Sequence, residues 1–573
     1  MRSILLFLIV SFCVILGCTD AQPPAVESNS PVSPQQGVFS NISDSYDHSS
    51  ATKRPNILLI VADDLGYSDL GSYGGEIKTP NIDQLATSGL KFSQFYASPS
   101  CSVTRSMLMS GVDSHKAGLG NMRELMQPNQ AGKPGYEGYL NQRVVTVATL
   151  LRDGGYHTHM VGKWHLGLTK DTSANARGFE NSFSISYGGS HHFSDVGVDP
   201  HEPITYFREH GEQLEKLPDD YDFSTDYYTR KLIDYIDSSR GDGKPFFAYA
   251  AYTAPHWPLQ VPDEFINKYA GTYDQGYEVL RENRLKALQE IGLVAKHISL
   301  PPLPQGIRKW DNLSAEEQKY EARKMEVYSA MVDNLDVNVG KLIEYLKDIG
   351  EYDNTFIFVM SDNGADAADV LGQPRFKDYI ASFDNRYENI GADGSYIALG
   401  RGWAHASTAP FRLWKMFSTE GAIRVPAIMN FPGKTPAGTT DSLISVTDLL
   451  PTFLELAKVE HPGGQYQDRS IEIPQGKSIL PLLKSPQIQI HDSNKVIAHE
   501  LLRRRALRKG NWKLLWVPKP FGSGNWKLFN IMEDPAELQN KAEDRPDIMQ
   551  DMLREWVQYE TENGLIYPDK SPI

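Results

Sequence analysis

The chain has 573 residues, 40% of them hydrophobic and 23% charged, which is long enough for one large α/β domain plus a smaller one with ample core. Its formal net charge of -15 argues against nucleic acid as a partner and offers no long-range attraction to an anionic substrate. Any anion site must therefore be assembled locally, from clustered basic side chains.

In chain order, Met1 and Arg2 form a short positive start, and Ile4 to Leu16 an apolar run too short to span a bilayer comfortably. The run closes on Ile15-Leu16-Gly17-Cys18, which is similar to the lipobox of bacterial lipoproteins. That likeness implies removal of residues 1–17, lipid attachment at Cys18, and export to the cell envelope or periplasm with the lipid as the only membrane contact. A conventional signal peptide with an incidental cysteine is the plainer alternative. Residues 18–53 are rich in Ser, Pro, Gln and Asn and read as a flexible tether. With Cys13 in the leader and Cys18 at its end, Cys101 is left alone in the mature domain, either as a bland buried thiol or as a reactive centre.

From residue 54 onward, β-branched apolar runs alternate with amphipathic stretches, the pattern of a mostly parallel sheet flanked by helices. Sites in such sheets form beyond the carboxyl ends of the strands. The run Ile57 to Ala62 stops at Asp63-Asp64. In the segment Ser98 to Gly111, Ser and Pro precede Cys101 and the apolar spacing after it suits a short helix. Cys101 then stands at a helix N-terminus, where free N–H groups and the dipole favour anions and lower a thiol's pKa. Arg105, one turn on, faces the same side. Further runs around Tyr156 to Val161, Pro245 to Tyr252 and Phe356 to Met360 lead into Lys163-Trp164-His165, Pro255-His256 and Ser361-Asp362-Asn363-Gly364. Each group alone could be a helix cap, a turn or a rigid loop. Four strand ends that bring carboxylates, an amide, a lysine and histidines to one rim point instead to a site. Asp63, Asp64, Asp362 and the Asn363 carbonyl are hard oxygen donors suited to calcium or magnesium, with neither a zinc-like cluster nor a dedicated second-metal set beside them. Lys163, His165 and His256 can bind an anion and move protons around it.

Cys101-Ser102-Val103-Thr104-Arg105 resembles the type I sulfatase signature C-x-P-x-R, whose cysteine a dedicated maturation enzyme oxidises to formylglycine. The resemblance continues through Asn56 to Asp64, Gly71 to Asn81, Gly162 to Gly167, Ala254 to His256 and Ser361 to Gly364, and covers nearly the whole mature chain. Arg401 to Pro426 and Tyr273 to Gly292 look like bacterial arylsulfatases of the Pseudomonas type. It implies an alkaline-phosphatase-like fold: a large mixed, mostly parallel sheet flanked by helices in a catalytic domain of residues 54–457, and a smaller C-terminal α+β domain, 458–573, with an antiparallel sheet. It also implies one calcium ion on Asp63, Asp64, Asp362, Asn363 and the modified Cys101. Arg105 and Lys163 match residues that hold the formylglycine and sulfate oxygens. His165 matches the base that assists release of sulfate, and His256 with Lys415 the pair near the leaving oxygen. The implied partners are a sulfate-ester substrate and a formylglycine-generating or anaerobic maturation enzyme.

Val103 departs from the signature, which has Pro or sometimes Ala there. The departure bears on maturation, where an extended segment is read before folding, more than on the fold. Two rivals follow: a phosphonate or phosphodiester hydrolase of the same superfamily, and a silent surface-tethered binding protein whose Cys101 stays a thiol. Asp362-Asn363, where two-metal phosphatases place Asp-His, weakens the first. Specificity is expected in the loops Ser186 to Tyr206 and Ala365 to Trp403. The basic flank of Asn511-Trp512 reads as a solvated strand face.

Overall fold

Both faces of the central sheet are covered, which is why its inner strands read as unbroken apolar runs. The computed structural model describes residues 53–370, 372 and 374–570. The leader, Cys18 and the tether as far as residue 52 lie outside the described residues. The sheet holds β1 (Asn56–Ala62), β2 (Leu90–Phe92), β3 (His157–Lys163), β4 (Asn181–Ile185), β5 (Phe207–Glu209), β6 (Glu212–Gln213), β7 (Phe246–Ala251), β8 (Thr355–Ser361), β9 (Ala427–Asn430) and β10 (Gly438–Thr440). Their order across it is β10-β2-β9-β8-β1-β7-β3-β4-β5-β6. The four strands singled out in the sequence, β8, β1, β7 and β3, are adjacent and parallel. Their register aligns the ends: Ala62 stands opposite Ser361, Val61 opposite Ala251, and Ala251 opposite Gly162. Asp63, Lys163 and Asp362 therefore reach one rim as a consequence of pairing.

Alternate side chains feed two separate cores. Leu58, Ile60 and Ala62 join the helices Ser224–Ser238 and Ala315–Asp348 through residues such as Tyr228, Leu232, Met325 and Val332. Ile57, Leu59 and Val61 pack on the other face against Met107, Leu108 and Met109. Those three belong to the helix Cys101–Ser110, which starts after Ser100 and stops at Gly111 in the left-handed region (φ 70), a position suited to glycine. The helix start is thus anchored by its own second half to the underside of β1.

The C-terminal sheet is antiparallel, in the order β11 (Val496–Leu501), β12 (Arg504–Lys509), β13 (Trp512–Trp516), β14 (Lys527–Asn530). One face packs on the helix Pro546–Asn563 through Leu507, Leu514, Leu528, Met552 and Trp556. The other lies against the large sheet's side of the molecule, and here the expectation of a solvated basic strand fails. Lys513 is fully buried between Glu420 and Glu537, 2.8 Å from each. Arg504 and Arg508 are buried too, Arg504 donating to the Met416 carbonyl at 2.8 Å. Two carboxylates from elsewhere in the chain account for a lysine that the local pattern left to solvent. Among the described residues, no helix is long and apolar enough to cross a membrane.

Candidate active site

Beyond β1 the chain turns sharply at Asp64, which has φ 69; the Leu65 N–H donates to Ser361 Oγ at 3.0 Å and holds the turn to β8. Asp63, Asp64, Asp362 and Cys101 are all buried, and their donor atoms lie within 4.8 Å of one another. Asn363 donates its amide to Asp64 Oδ1 at 2.6 Å, which turns its carbonyl oxygen free of that contact. Two buried oxygens of the set, Asp63 Oδ1 and Asn363 Oδ1, have no hydrogen-bond partner. Burial, together with the other carboxylates, raises Asp64 well above the usual carboxylate range against the pull of Lys415; Asp362 is raised as well, chiefly by burial. Asp63 goes the other way, because Lys163 at 2.6 Å and the neighbouring cations outweigh its burial. Hard oxygens crowded this closely, with Asp63 Oδ1 and the adjoining Asn363 Oδ1 unsatisfied, fit a divalent cation.

The cations come from three directions. Arg105, one turn after Cys101, donates from Nε to Asp362 Oδ2 at 2.8 Å and from Nη1 to the Lys163 carbonyl at 2.7 Å. Lys163, the last residue of β3, is committed to Asp63, and neither it nor Arg105 lines the open pocket. Lys415 does line it, at 2.9 Å from Asp64 and 3.2 Å from Asp366. Its loop is flanked by two left-handed residues, Leu413 (φ 58) and Met416 (φ 73), and is pinned by backbone bonds to Ala365 and Pro99. Burial favours the neutral amine, yet Asp366 and Asp64 hold Lys415 charged well above its ordinary range. Asp64, His256 and Asp366 form a second converging donor set that the sequence did not reveal. The Lys415 ammonium bonds both of its carboxylates, so a lysine balances them where a second ion would otherwise sit.

The histidines differ. His256 Nδ1 lies 2.6 Å from the Trp257 carbonyl and so carries the ring proton, leaving Nε2 as an acceptor 3.5 Å from Asp64 Oδ2. Burial and Lys415 lower His256 to about 3, so Lys415 is the member of that pair that carries a proton. The indole of Trp257 stacks on His256 and donates to Asp366 Oδ2 at 2.8 Å. His165 (φ 56) meets Glu124, its Nε2 being 3.0 Å from Oε1.

Cys101 is the first residue of its helix, and its Sγ lies 3.9 Å from Asp64 Oδ1. The expected lowering of the thiol pKa does not occur. Burial pushes it well above the ordinary value despite Lys163 and Lys415, and Asp63 and Asp362 add to the rise. Desolvation beside carboxylates outweighs a helix dipole worth at most about 2 kcal/mol.

A pocket of about 240 Å³ contains Cys101, His165, His256 and Lys415 in its lining. Both loops expected to carry specificity contribute, through Tyr187, Val198 and Thr205 and through Asp366 to Val370. The rest of the wall went unnoticed in the sequence: Met122, Glu124 and Leu125 from one loop, Trp414 to Phe417 beside Lys415, and Arg504 and Phe521 from the C-terminal part. Asp366 could have been found as the next carboxylate after Asp362; Glu124 sits in no pattern at all.

Residues 55–459 match the family model described as Sulfatase, and residues 412–562 that described as N-sulphoglucosamine sulphohydrolase, C-terminal. An uncharacterized sulfatase of Schizosaccharomyces pombe is 44% identical over 534 residues, spanning 91% of this chain and 96% of its own length. An arylsulfatase of Klebsiella aerogenes is 39% identical over 417 residues, spanning 72% of this chain and 89% of its own. Among solved structures, Ps i-CgsB in complex with k-i-k-neocarrahexaose superposes with a TM-score of 0.63 at 27% identity, over 90% of this chain and 94% of that one.

Proposed function

The chain belongs to the sulfatase family and is a sulfuric ester hydrolase, and from that premise we propose that it works through a formylglycine made from Cys101 beside one calcium ion. One convergence carries this reading: three carboxylates and the only cysteine among the described residues meet at one buried point, with Asn363 bonded to Asp64 and the oxygens Asp63 Oδ1 and Asn363 Oδ1 still lacking a partner. The charges agree. With a bound cation holding all four carboxylates ionised, Asp63, Asp64, Asp362 and Asp366 against Arg105, Lys163 and Lys415 leave one net negative charge, which a divalent ion reverses to match a singly charged sulfate ester.

Asp63, Asp64, Asp362 and Asn363 would hold calcium together with the modified Cys101. The hydrated aldehyde supplies two hydroxyls, one to attack sulfur and displace the alcohol, the other to let sulfate leave by elimination without attack by water. Arg105 and Lys163 fix the carboxylates beside that group, and Lys163 also places its charge next to residue 101. Lys415 orients the sulfate and delivers a proton toward the leaving oxygen, with His256 held alongside by Trp257. His165 serves as the base for sulfate release. Tyr187, Trp257, Trp414, Phe417 and Phe521 wall the pocket and favour aryl sulfates as the test substrates. Export with lipid attachment at Cys18, and a formylglycine-generating or anaerobic maturation partner, belong to the same proposal.

Mass analysis of the Cys101 peptide from protein matured in its own host, with metal content and hydrolysis of matched sulfate and phosphate esters of one phenol, tests it. We expect conversion at residue 101, one calcium per chain, preference for the sulfate ester, and loss of both metal and turnover in Asp362→Asn. Two zinc ions, or full activity with an intact thiol, would overturn it.

A further inference from the structure

The ring of His165 is gripped on two sides. Glu124 Oε1 lies 3.0 Å from Nε2, and a Cβ added at Gly188 would stand 3.0 Å from Cε1 and 3.2 Å from Nε2. Nδ1 is buried without a partner, in a ring that shares the pocket lining with Cys101. An ionised carboxylate only accepts hydrogen bonds, so whenever the ring is neutral its proton sits on Nε2 and Nδ1 presents a lone pair. Glu124 stays ionised: burial works against it, but His165 and local hydrogen bonds lower it to about 2. Its side chain is 26% exposed and belongs to a single turn, Arg123–Leu125, outside every motif of the sequence.

We infer that Glu124 is the positioning residue for His165, fixing the Nε2–H tautomer and ring orientation so that Nδ1 acts as the base at residue 101; this rests on the mechanism proposed above. Nδ1 takes the proton of the second hydroxyl, the electron pair of that O–H bond closes the carbonyl, and the carbon–oxygen bond to sulfate breaks with its pair going to the departing sulfate. Glu124 stands in the pocket wall and acts on residue 101 only through the ring, as outer carboxylates do for histidine ligands.

The test uses matured protein with 15N-labelled histidine. In wild type, the His165 resonances, assigned with His165→Asn, should show a protonated Nε2 and a bare Nδ1. Glu124→Gln, whose amide can donate as well as accept, should mix the tautomers and lower kcat by roughly tenfold to a hundredfold, less than the whole effect of a positioned base. KM should fall together with kcat and leave kcat/KM within about twofold, since the slowed step follows transfer of the sulfate to residue 101. With sulfate release limiting, kcat across a series of aryl sulfates should lose its dependence on the leaving group, while kcat/KM keeps it. Glu124→Asp should recover part of the loss, and Gly188→Ala, by crowding the ring, should show the same flattened series. A protonated Nδ1 in wild type, or Glu124→Gln with unchanged tautomer and kcat, would overturn the inference alone. Matured wild type without sulfatase activity would overturn it together with the mechanism.

Discussion

Val103 is the third residue of the helix that begins at Cys101, buried against Leu501 and Leu502 at the end of the C-terminal sheet's edge strand. Its N–H has no acceptor among the described residues, because the first turn of a helix leaves such groups free. Proline therefore removes no hydrogen bond here, and Val103→Pro should change stability by no more than about 1 kcal/mol, the worth of one buried methylene-sized loss. The same change should raise the formylglycine fraction of Cys101, with activity rising in proportion and KM unchanged. Peptide mass analysis beside kinetics checks this; activity that rises without conversion would disconnect the two. Residues of this kind were legible because they lie within a contiguous pattern. Glu124 was not, because it matters only by meeting a partner far along the chain, His165; Asp366, the next carboxylate after Asp362, was within reach, but its bond to Lys415 was not.

The loop that carries Glu124 is held by the chain's C-terminal tail. Asn129 Nδ2 donates to the Tyr567 carbonyl at 2.8 Å, Gln130 Nε2 to the Ile566 carbonyl at 2.7 Å, and the Ile566 N–H to Tyr136 Oη at 2.9 Å. Gln130 also accepts from Asn121 and from the Gln127 N–H, so one side chain ties the loop to itself and to the tail. Truncation after Gly564, or Asn129→Ala with Gln130→Ala, should speed amide hydrogen exchange over residues 121–136 and lower kcat several-fold, while the sheet stays protected. Each lost bond is worth about 1 kcal/mol, too little to unfold the chain but enough to loosen a loop. Unchanged exchange in that loop would mean that the tail is only ornamental to it.

At the scale of the whole molecule, one buried network joins the Cys101 side of the large sheet to the C-terminal part. His115 lies 2.9 Å from Asp113 and 3.9 Å from Glu500 of β11, and Tyr559 from the last helix donates to Asp113 at 2.8 Å. Against its burial, Asp113 and Glu500 raise His115 to about 9, and His115 in turn holds Asp113 below the usual range. A histidine raised on folding stabilises fully below its unfolded value of about 6.5 and loses that contribution as pH climbs through the folded one. Stability should therefore fall between about pH 6.5 and pH 9, by roughly 3 kcal/mol at most from this group. Denaturant melts across that range should show the slope in wild type and a flatter one in His115→Gln. Equal slopes would assign the dependence elsewhere.

The four central strands, the rim they share and the donors that follow them could be read from the sequence, since strands buried on both faces are contiguous apolar runs and the reactive residues come directly after them; their order across the sheet could not. The helix that begins at Cys101 was equally local, its end set by Gly111, although Ser100 before it makes no side-chain cap. Only the tertiary structure decided what surrounds each of these groups. The Cys101 thiol is raised rather than lowered because desolvation depends on everything packed around it, not on its own helix. The basic strand is buried because Glu420 and Glu537 arrive from distant segments to neutralise Lys513. Charge balance and solvent access are sums over neighbours in space, and a linear pattern contains no record of who those neighbours are.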